Sequence, residues 1–239
     1  MKKITNKDCF FKFLTENKIN DRIIKAFKAV DPQIFIDSIF ESRYYTKERI
    51  FVGEGETTDN IYHLAKMLNY LNPQANEKIY EIGTGSGFST AVLSLLVREV
   101  YTIDRHDRLV TTAKKKLYSN GYENIRFFCG EGTDVSGEDF KGIDGAVIFS
   151  ACKKRPMTVI SIVKDSGNIV YPMGPIHQHQ IIHIKKEFNI HTKESYTTFF
   201  HEIDEFPLIS GLYGFEHYVP MEILPGKGDP DDDYEDDDE

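Results

Sequence analysis

The sequence predicts an α/β fold built on a doubly wound, mostly parallel sheet that ends in a β-hairpin. Three observations carry this expectation. Short apolar runs alternate with amphipathic stretches of helical period through the middle of the chain. Three glycines, Gly83, Gly85 and Gly87, follow one such run, Ile79 to Ile82. Beyond Gln180 the helical periods stop, and two strand-like segments remain, Ile181 to Ile184 and Tyr196 to Ile203.

From the N-terminus, Asn20 suits the cap of a helix whose apolar positions are Ile23, Ile24, Phe27 and Val30. Asp31-Pro32 ends it, because proline disfavours the helical conformation at the residue before it. Ala26 to Ile36 then reads as helix, turn and extended connector, within a helical element of about residues 20–50. Phe51 to Asn60 is a polar loop with two glycines and paired threonines. It leads into a helix with the apolar face Ile61, Leu64, Leu68 and Leu71, for which Asp59 or Asn60 is a good N-cap. After the glycine cluster come a helical segment, Ala91 to Val97, and a strand, Val100 to Ile103, that ends on Asp104. Leu109, Ala113 and Leu117 mark the next helix, closed by Asn120-Gly121. The strand Ile125 to Cys129 runs into Gly130-Glu131-Gly132. A strand at Gly145 to Phe149, a helix with Met157, Ile160 and Val163, and a strand at Asn168 to Tyr171 complete the alternation.

The unit from Lys78 to Asp104 carries the chemistry. A strand, a glycine loop, a helix and a second strand ending on a carboxylate form the arrangement that cradles an adenosine-containing cofactor. Glycine lets the backbone approach the ligand, and Asp104 can accept from ribose hydroxyls. A dinucleotide fingerprint would place its third glycine at position 88, which is Phe88, so a dehydrogenase is the weaker reading. The spacing present, Glu81-x-Gly83-x-Gly85-x-Gly87, is similar to motif I of the S-adenosylmethionine (SAM) methyltransferases. Glu131, between glycines at a strand's carboxyl end, is assigned to the adenine end of the pocket. The loop 51–60, just ahead of this unit, can fold across the cofactor's mouth and is the candidate catalytic loop.

Composition narrows the class further. The 239 residues can bury one sizeable core, so residues 1–224 read as a single domain with its core over about 60–210. The net charge of −9 is concentrated in the tail 225–239, PGKGDPDDDYEDDDE, where nine acidic residues face Lys227 alone. That segment has little to bury and reads as disordered, either solubilising or a docking tail for a basic partner. The near-neutral body offers no electrostatic footprint for nucleic acid. Cys9, Cys129 and Cys152 are too few for a disulfide scaffold and fit a reducing compartment. No apolar run reaches the roughly 20 residues of a membrane span, so a cytoplasmic monomer is the expectation. His177, His179 and His183 are spaced to share a strand face, but solvated loop histidines fit better and no metal site is expected.

Together these residues resemble the protein-L-isoaspartate O-methyltransferase family, from about Ile23 to Leu208. The stretches that carry the likeness are AFKAVDPQIFI, EIGTGSGFSTAVLS, GYENIRFFCGEG, SGNIVYPMG and EFPLI. The resemblance implies a Rossmann-like SAM-dependent methyltransferase that methylates the free carboxylate of isoaspartyl residues in damaged proteins. It implies cofactor contacts from Thr58, Glu81, Gly83, Thr84 and Gly85, and from Gly87, Asp104, Arg105, Glu131 and Gly132. It assigns methyl transfer to Glu56, Thr57 and Asp59. The family's loop reads Gly-x-Gly-Gln-Thr-Ile-Ser, whereas this chain has Gly53-Glu54-Gly55-Glu56-Thr57-Thr58-Asp59. A serine can donate to the acceptor carboxylate, while an ionised Asp59 can only accept, and Glu56 adds a second negative charge. Asp59 can therefore be a helix cap, a protonated donor, or a base for a hydroxyl or amine acceptor. A SAM-binding adaptor without turnover is the alternative from another class.

Overall fold

Helices open the chain earlier than the expected residue 20. In the computed structural model, which describes residues 5–135, 140–187 and 195–215, helix α1 spans Asn6–Glu16. It starts at a capping box in which the Thr5 side chain accepts from the Asp8 N–H and the Asp8 carboxylate accepts from the Thr5 N–H. Phe10 and Leu14, one turn apart, are fully buried. Helix α2 (Asp21–Ala29) is capped by Asn20, as the sequence predicts, and buries Ile23, Ala26 and Phe27. Past Asp31 the expected turn is a short 3-10 turn, Pro32–Ile34, and Phe35 stays in the helical region instead of starting the expected extended connector. Proline fixes φ in the range this turn needs, and Asp31 accepts from the Gln33 N–H.

The expected polar loop is a small antiparallel clasp of β1 (Phe51–Gly53) and β2 (Glu56–Thr57). Gly53, Glu54 and Gly55 all take positive φ in its turn. Helix α3 (Ile61–Leu71) follows, then β3 (Lys78–Ile82), α4 (Phe88–Ser94), β4 (Glu99–Asp104), α5 (Asp107–Ser119) and β5 (Ile125–Cys129). The remaining elements are β6 (Gly145–Ile148), α6 (Met157–Ile162), β7 (Asn168–Met173), β8 (His179–Glu187) and β9 (Ser195–Asp204).

Among the described residues, seven strands form one sheet in the order β5-β4-β3-β6-β7-β8-β9. The pairs from β5 through β7 are parallel, while β7–β8 and β8–β9 are antiparallel, which gives the predicted C-terminal hairpin. Side-chain alternation divides the core between two faces. Ile79 and Val100 join the cluster with α1 to α5, whereas Tyr80, Ile82, Tyr101 and Ile103 join the one with Val159 and Ile160 of α6. Because β4 and β6 flank β3 on opposite sides, the winding reverses at β3. A crevice opens there, at the carboxyl ends of the strands.

One expectation about the histidines does not hold. His179 is the first residue of β8 and is fully buried, and its Nδ1 accepts from the Phe206 N–H at 3.1 Å. His177 is the exposed turn residue and pairs with Glu205. His183 lies on β8 against Asn168. No cluster of metal-ligating side chains exists among the described residues. The tail 225–239 lies outside them.

Gly87 is the N-cap of α4 at φ +89°, and a Cβ there would lie 3.1 Å from Ala113 and 3.2 Å from Leu117. Backbone strain and overpacking against α5 both oppose a side chain. Gly87→Ala is expected to destabilise the fold by about 1–3 kcal/mol. Urea unfolding measures this directly, and an unchanged midpoint would refute it.

Candidate active site

The crevice beside β3 is closed in front by the clasp and by the segment after β9. Its floor is the glycine loop. Gly83 and Gly85 take φ +101° and +50°, which turns the Gly85 N–H back onto Asp104 Oδ2 at 2.9 Å. The His106 N–H donates to Oδ1 of the same carboxylate at 3.1 Å. Each oxygen keeps a second lone pair for a hydroxyl donor. Thr84 lines the floor and is almost fully buried, with its hydroxyl 2.7 Å from that of Thr102.

At the far end, Glu131 Oε1 accepts from the Thr133 N–H at 3.0 Å and from the Thr133 hydroxyl at 2.8 Å. Gly132 packs so closely on β3 that a Cβ would stand 2.6 Å from Ile82 Cγ2. Gly211, at φ +101°, lies against the Glu131 carboxylate, where a Cβ would overlap Oε2. The chain after β9 therefore roofs this end with backbone.

Two predicted residues do not line the pocket. Gly87 packs α4 on α5, as described above. Glu81 lies beneath the floor, fully buried, with Oε2 accepting from Thr90 at 2.6 Å and from Thr102 at 2.7 Å. Burial pushes its carboxyl up to about 7, against the three hydroxyls of Thr90, Thr102 and Ser89.

The clasp brings Glu56, Thr57, Thr58 and Asp59 to the pocket wall. Thr58 is tied back to Ile50 by two bonds, its N–H to the carbonyl at 2.8 Å and the Ile50 N–H to its hydroxyl at 3.1 Å. Glu56 is not the free second charge that the sequence suggests. Its Oε1 accepts from Arg105 Nη2 at 3.1 Å and lies 3.3 Å from His106 Nε2. Arg105 also donates to Ser210, so one guanidinium ties the clasp to the roof.

Asp59 is buried, with 4% of its side chain exposed. It is not the cap of α3, because Asn60 fills that role by accepting from the His63 N–H at 2.9 Å. Asp59 Oδ1 accepts from the Asn60 N–H at 2.8 Å and lies 3.1 Å from His63 Nδ1. Its Oδ2 is buried with no hydrogen-bond partner. The other ring nitrogen, His63 Nε2, is 2.7 Å from Asp204 Oδ2 at the end of β9. The imidazole stacks on Phe206 with ring centroids 4.4 Å apart. Burial drives Asp59 above the usual carboxylate range. Burial also opposes charge on His63, but its bonds to Asp59 and Asp204 outweigh that and raise it. Ser210 on the pocket wall, and His63, Asp204 and Phe206 behind Asp59, are not anticipated from the sequence. For His63 a signal was present, since Asp59-x-x-x-His63 is one helical turn.

A family model described as protein-L-isoaspartate (D-aspartate) O-methyltransferase matches residues 5–203. The chain belongs to this family. A protein-L-isoaspartate O-methyltransferase of Dictyoglomus thermophilum is 36% identical over 155 residues, which are 65% of this chain and 70% of the relative. A solved protein-L-isoaspartate O-methyltransferase superposes with a TM-score of 0.74 at 19% identity, over 87% of this chain and 67% of that one. A Plasmodium falciparum structure described as such an enzyme in complex with S-adenosyl-L-homocysteine gives 0.67 at 15% identity, over 82% and 95%. The chain is thus a methyltransferase of this family, with SAM as its cofactor. The donor set fits that cofactor: anchored carboxylates stand at both ends of a glycine floor that admits no side chain at Gly132.

Glu81 ties this floor to a pH dependence. Between its ordinary value of 4.5 and about 7, the folded protein holds a proton that the unfolded chain has released. Stability therefore falls as pH rises through that window, by roughly 3 kcal/mol in all. Glu81→Gln should flatten this fall, as read from urea midpoints between pH 5 and 8. A slope equal to that of the unaltered protein would rule it out.

Proposed function

We propose that this methyltransferase acts on the free α-carboxylate of isoaspartyl residues in damaged proteins, with Asp104 and Glu131 holding the cofactor and the Glu56–Asp59 clasp positioning the acceptor. The observation that carries this reading is Asp59 on the pocket wall, at the position the family gives to serine, opposite a floor built for an adenosine ligand. When bound, SAM supplies a methyl group on a cationic sulfur, which becomes a neutral thioether as the carboxylate oxygen takes the methyl. No proton has to move, so positioning is most of the catalysis.

The residues of this chain do the rest. Asp104 would accept from the ribose hydroxyls and Glu131 from the adenine amine. Gly83, Thr84 and Gly85 form the floor. Arg105 neutralises Glu56 and fixes the clasp. That leaves Asp59 to decide whether an anionic acceptor is tolerated. Two ionised carboxylates about 4 Å apart repel by about 4 kcal/mol at an effective dielectric near 20. The site thus takes an isoaspartyl carboxylate when Asp59 is neutral, the direction in which burial drives it.

A second reading is favoured by one contact. His63 next to Asp59 could relay a proton to Asp204, which would suit Asp59 as a base for a hydroxyl or amine acceptor.

We place the protein in the cytoplasm as a monomer, with residues up to 224 as one domain. Unpaired Cys9, Cys129 and Cys152 support a reducing compartment, and no helix among the described residues is long and apolar enough to cross a membrane.

The test is transfer of labelled methyl from SAM to an isoaspartyl peptide and to its aspartyl twin. Labelling of the isoaspartyl peptide alone is expected. Labelling only of hydroxyl or amine acceptors would transfer the assignment to the second reading. Asp104→Ala should weaken SAM binding about 10- to 100-fold, the worth of charge-assisted hydrogen bonds, by calorimetry. An unchanged affinity would remove Asp104 from the cofactor site.

A further inference from the structure

The group that stands out is the chain Asp59–His63–Asp204. It joins the catalytic clasp, the first turn of α3 and the end of β9, residues separated by as many as 145 positions in sequence. His63 is inaccessible, with 6% of its side chain exposed, and Phe206 covers one face of its ring. Its backbone N–H is already used by Asn60, and its ring nitrogens lie against the two carboxylates and, at 2.9 and 3.3 Å, the Asn60 side-chain amide.

The geometry points to His63 and Asp204 as a positioning pair that presents Asp59 to the acceptor as a neutral carboxylic acid, with the Oδ2 hydroxyl as the hydrogen-bond donor. This rests on the isoaspartyl reading above and extends it to residues outside the clasp. The argument runs through the oxygens. Asp59 Oδ1 accepts from the Asn60 N–H and lies 3.1 Å from His63 Nδ1, a ring nitrogen that the Asn60 Nδ2 amide also approaches at 2.9 Å. Oδ2 is buried and unpartnered, so it is the atom on which a proton removes an unsatisfied acceptor and creates a donor. A lone imidazolium beside Asp59 would favour the carboxylate instead. Asp204 prevents this, because at 2.7 Å it balances the imidazolium, and Asp59 then faces a neutral pair.

Of the other charges around the site, Arg49 favours the Asp59 carboxylate, after burial and His63 in its effect, and the remaining ones are paired or act on Asp204. Arg49, ahead of the clasp, pairs with Glu205 at 3.2 Å. Glu56 pairs with Arg105. Lys47 acts on Asp204, and Glu48 reaches the pocket wall from the same loop. Burial of Asp59 against this background holds the proton in place. Where the family's serine offers a hydroxyl, this chain offers a carboxylic acid O–H held by a histidine and a second aspartate.

The experiment measures both turnover and binding of an isoaspartyl peptide to the full chain loaded with S-adenosyl-L-homocysteine, as a function of pH. Binding by fluorescence anisotropy reads the acceptor site without requiring turnover. In the unaltered protein, affinity should fall at least 10-fold as pH rises and Asp59 ionises. Asp204→Asn leaves the imidazolium unbalanced, so it should raise KM about 10-fold near neutrality with a smaller change in kcat, and shift the fall in affinity to lower pH. Asp59→Asn, which keeps a donor that cannot ionise, should abolish that fall and bind the peptide more tightly than Asp59→Ala. Near-ultraviolet circular dichroism establishes that each variant is folded. The pair is overturned if Asp204→Asn leaves both KM and the pH profile in place, or if Asp59→Asn binds no better than Asp59→Ala. Peptide binding with the expected pH profile but no methyl transfer would sink the isoaspartyl enzyme and leave the pair standing. Methyl transfer with no pH-dependent binding would sink the pair and leave the enzyme. Absence of both removes both.

Discussion

A buried carboxylate under the glycine loop holds the centre of this protein together. Glu81 takes hydroxyl hydrogen bonds from Thr90 on α4 and from Thr102 on β4, and Thr102 in turn meets Thr84 in the loop. Four elements that must stay in register to form a nucleoside-shaped floor thus share one polar knot. Desolvating an acid so completely is costly, and the knot is acceptable only because its hydroxyls are equally buried and have no better partners. Side-chain alternation along the parallel strands sets which core face each residue joins. The angle at which the loop leaves β3 follows from this knot and from the positive φ of Gly83 and Gly85.

Above that floor, the pocket walls come from distant parts of the chain and are joined by charge. Arg105 follows Asp104 directly, and it reaches both Glu56 on the clasp and Ser210 in the roof. Gly211 lets the backbone sit on Glu131. The cofactor end and the acceptor end are therefore not independent modules. The same segment after β9 supplies the Asp204 contact at one end and the roof over Glu131 at the other.

Much of this was legible in the sequence because it is local. Gly83 and Gly85, Asp104 at a strand end, and Glu131 between two glycines are all read within one βα unit each, and all of them reach the pocket. Helix α1 precedes the residue at which a helical element is expected, although its Thr5-x-x-Asp8 box and the Phe10–Leu14 pair are local signals. His179 reads as a turn residue because only its pairing with Asp204 of β9 brings it into the strand. Asp204 could not be paired with His63 from the sequence. Its position depends on the register of β9 against β8, which shifts by an irregularity between Gln180 and Ile182. Glu56 was read as an unbalanced charge for the same reason, since its partner lies 49 residues away.

The contact between His63 and Asp204 also bears on how such a site could arise. An aspartate replacing the catalytic serine would, by itself, set an unbalanced charge against an anionic acceptor. A histidine at position 63 alone would fix that charge more firmly, and an aspartate at position 204 alone would add another. On the proposal above, the three positions serve the acceptor site as one unit, each acting through the other two. Within the family they should be gained and lost together, as a correlated set that links the first turn of a helix to the last residue of an edge strand.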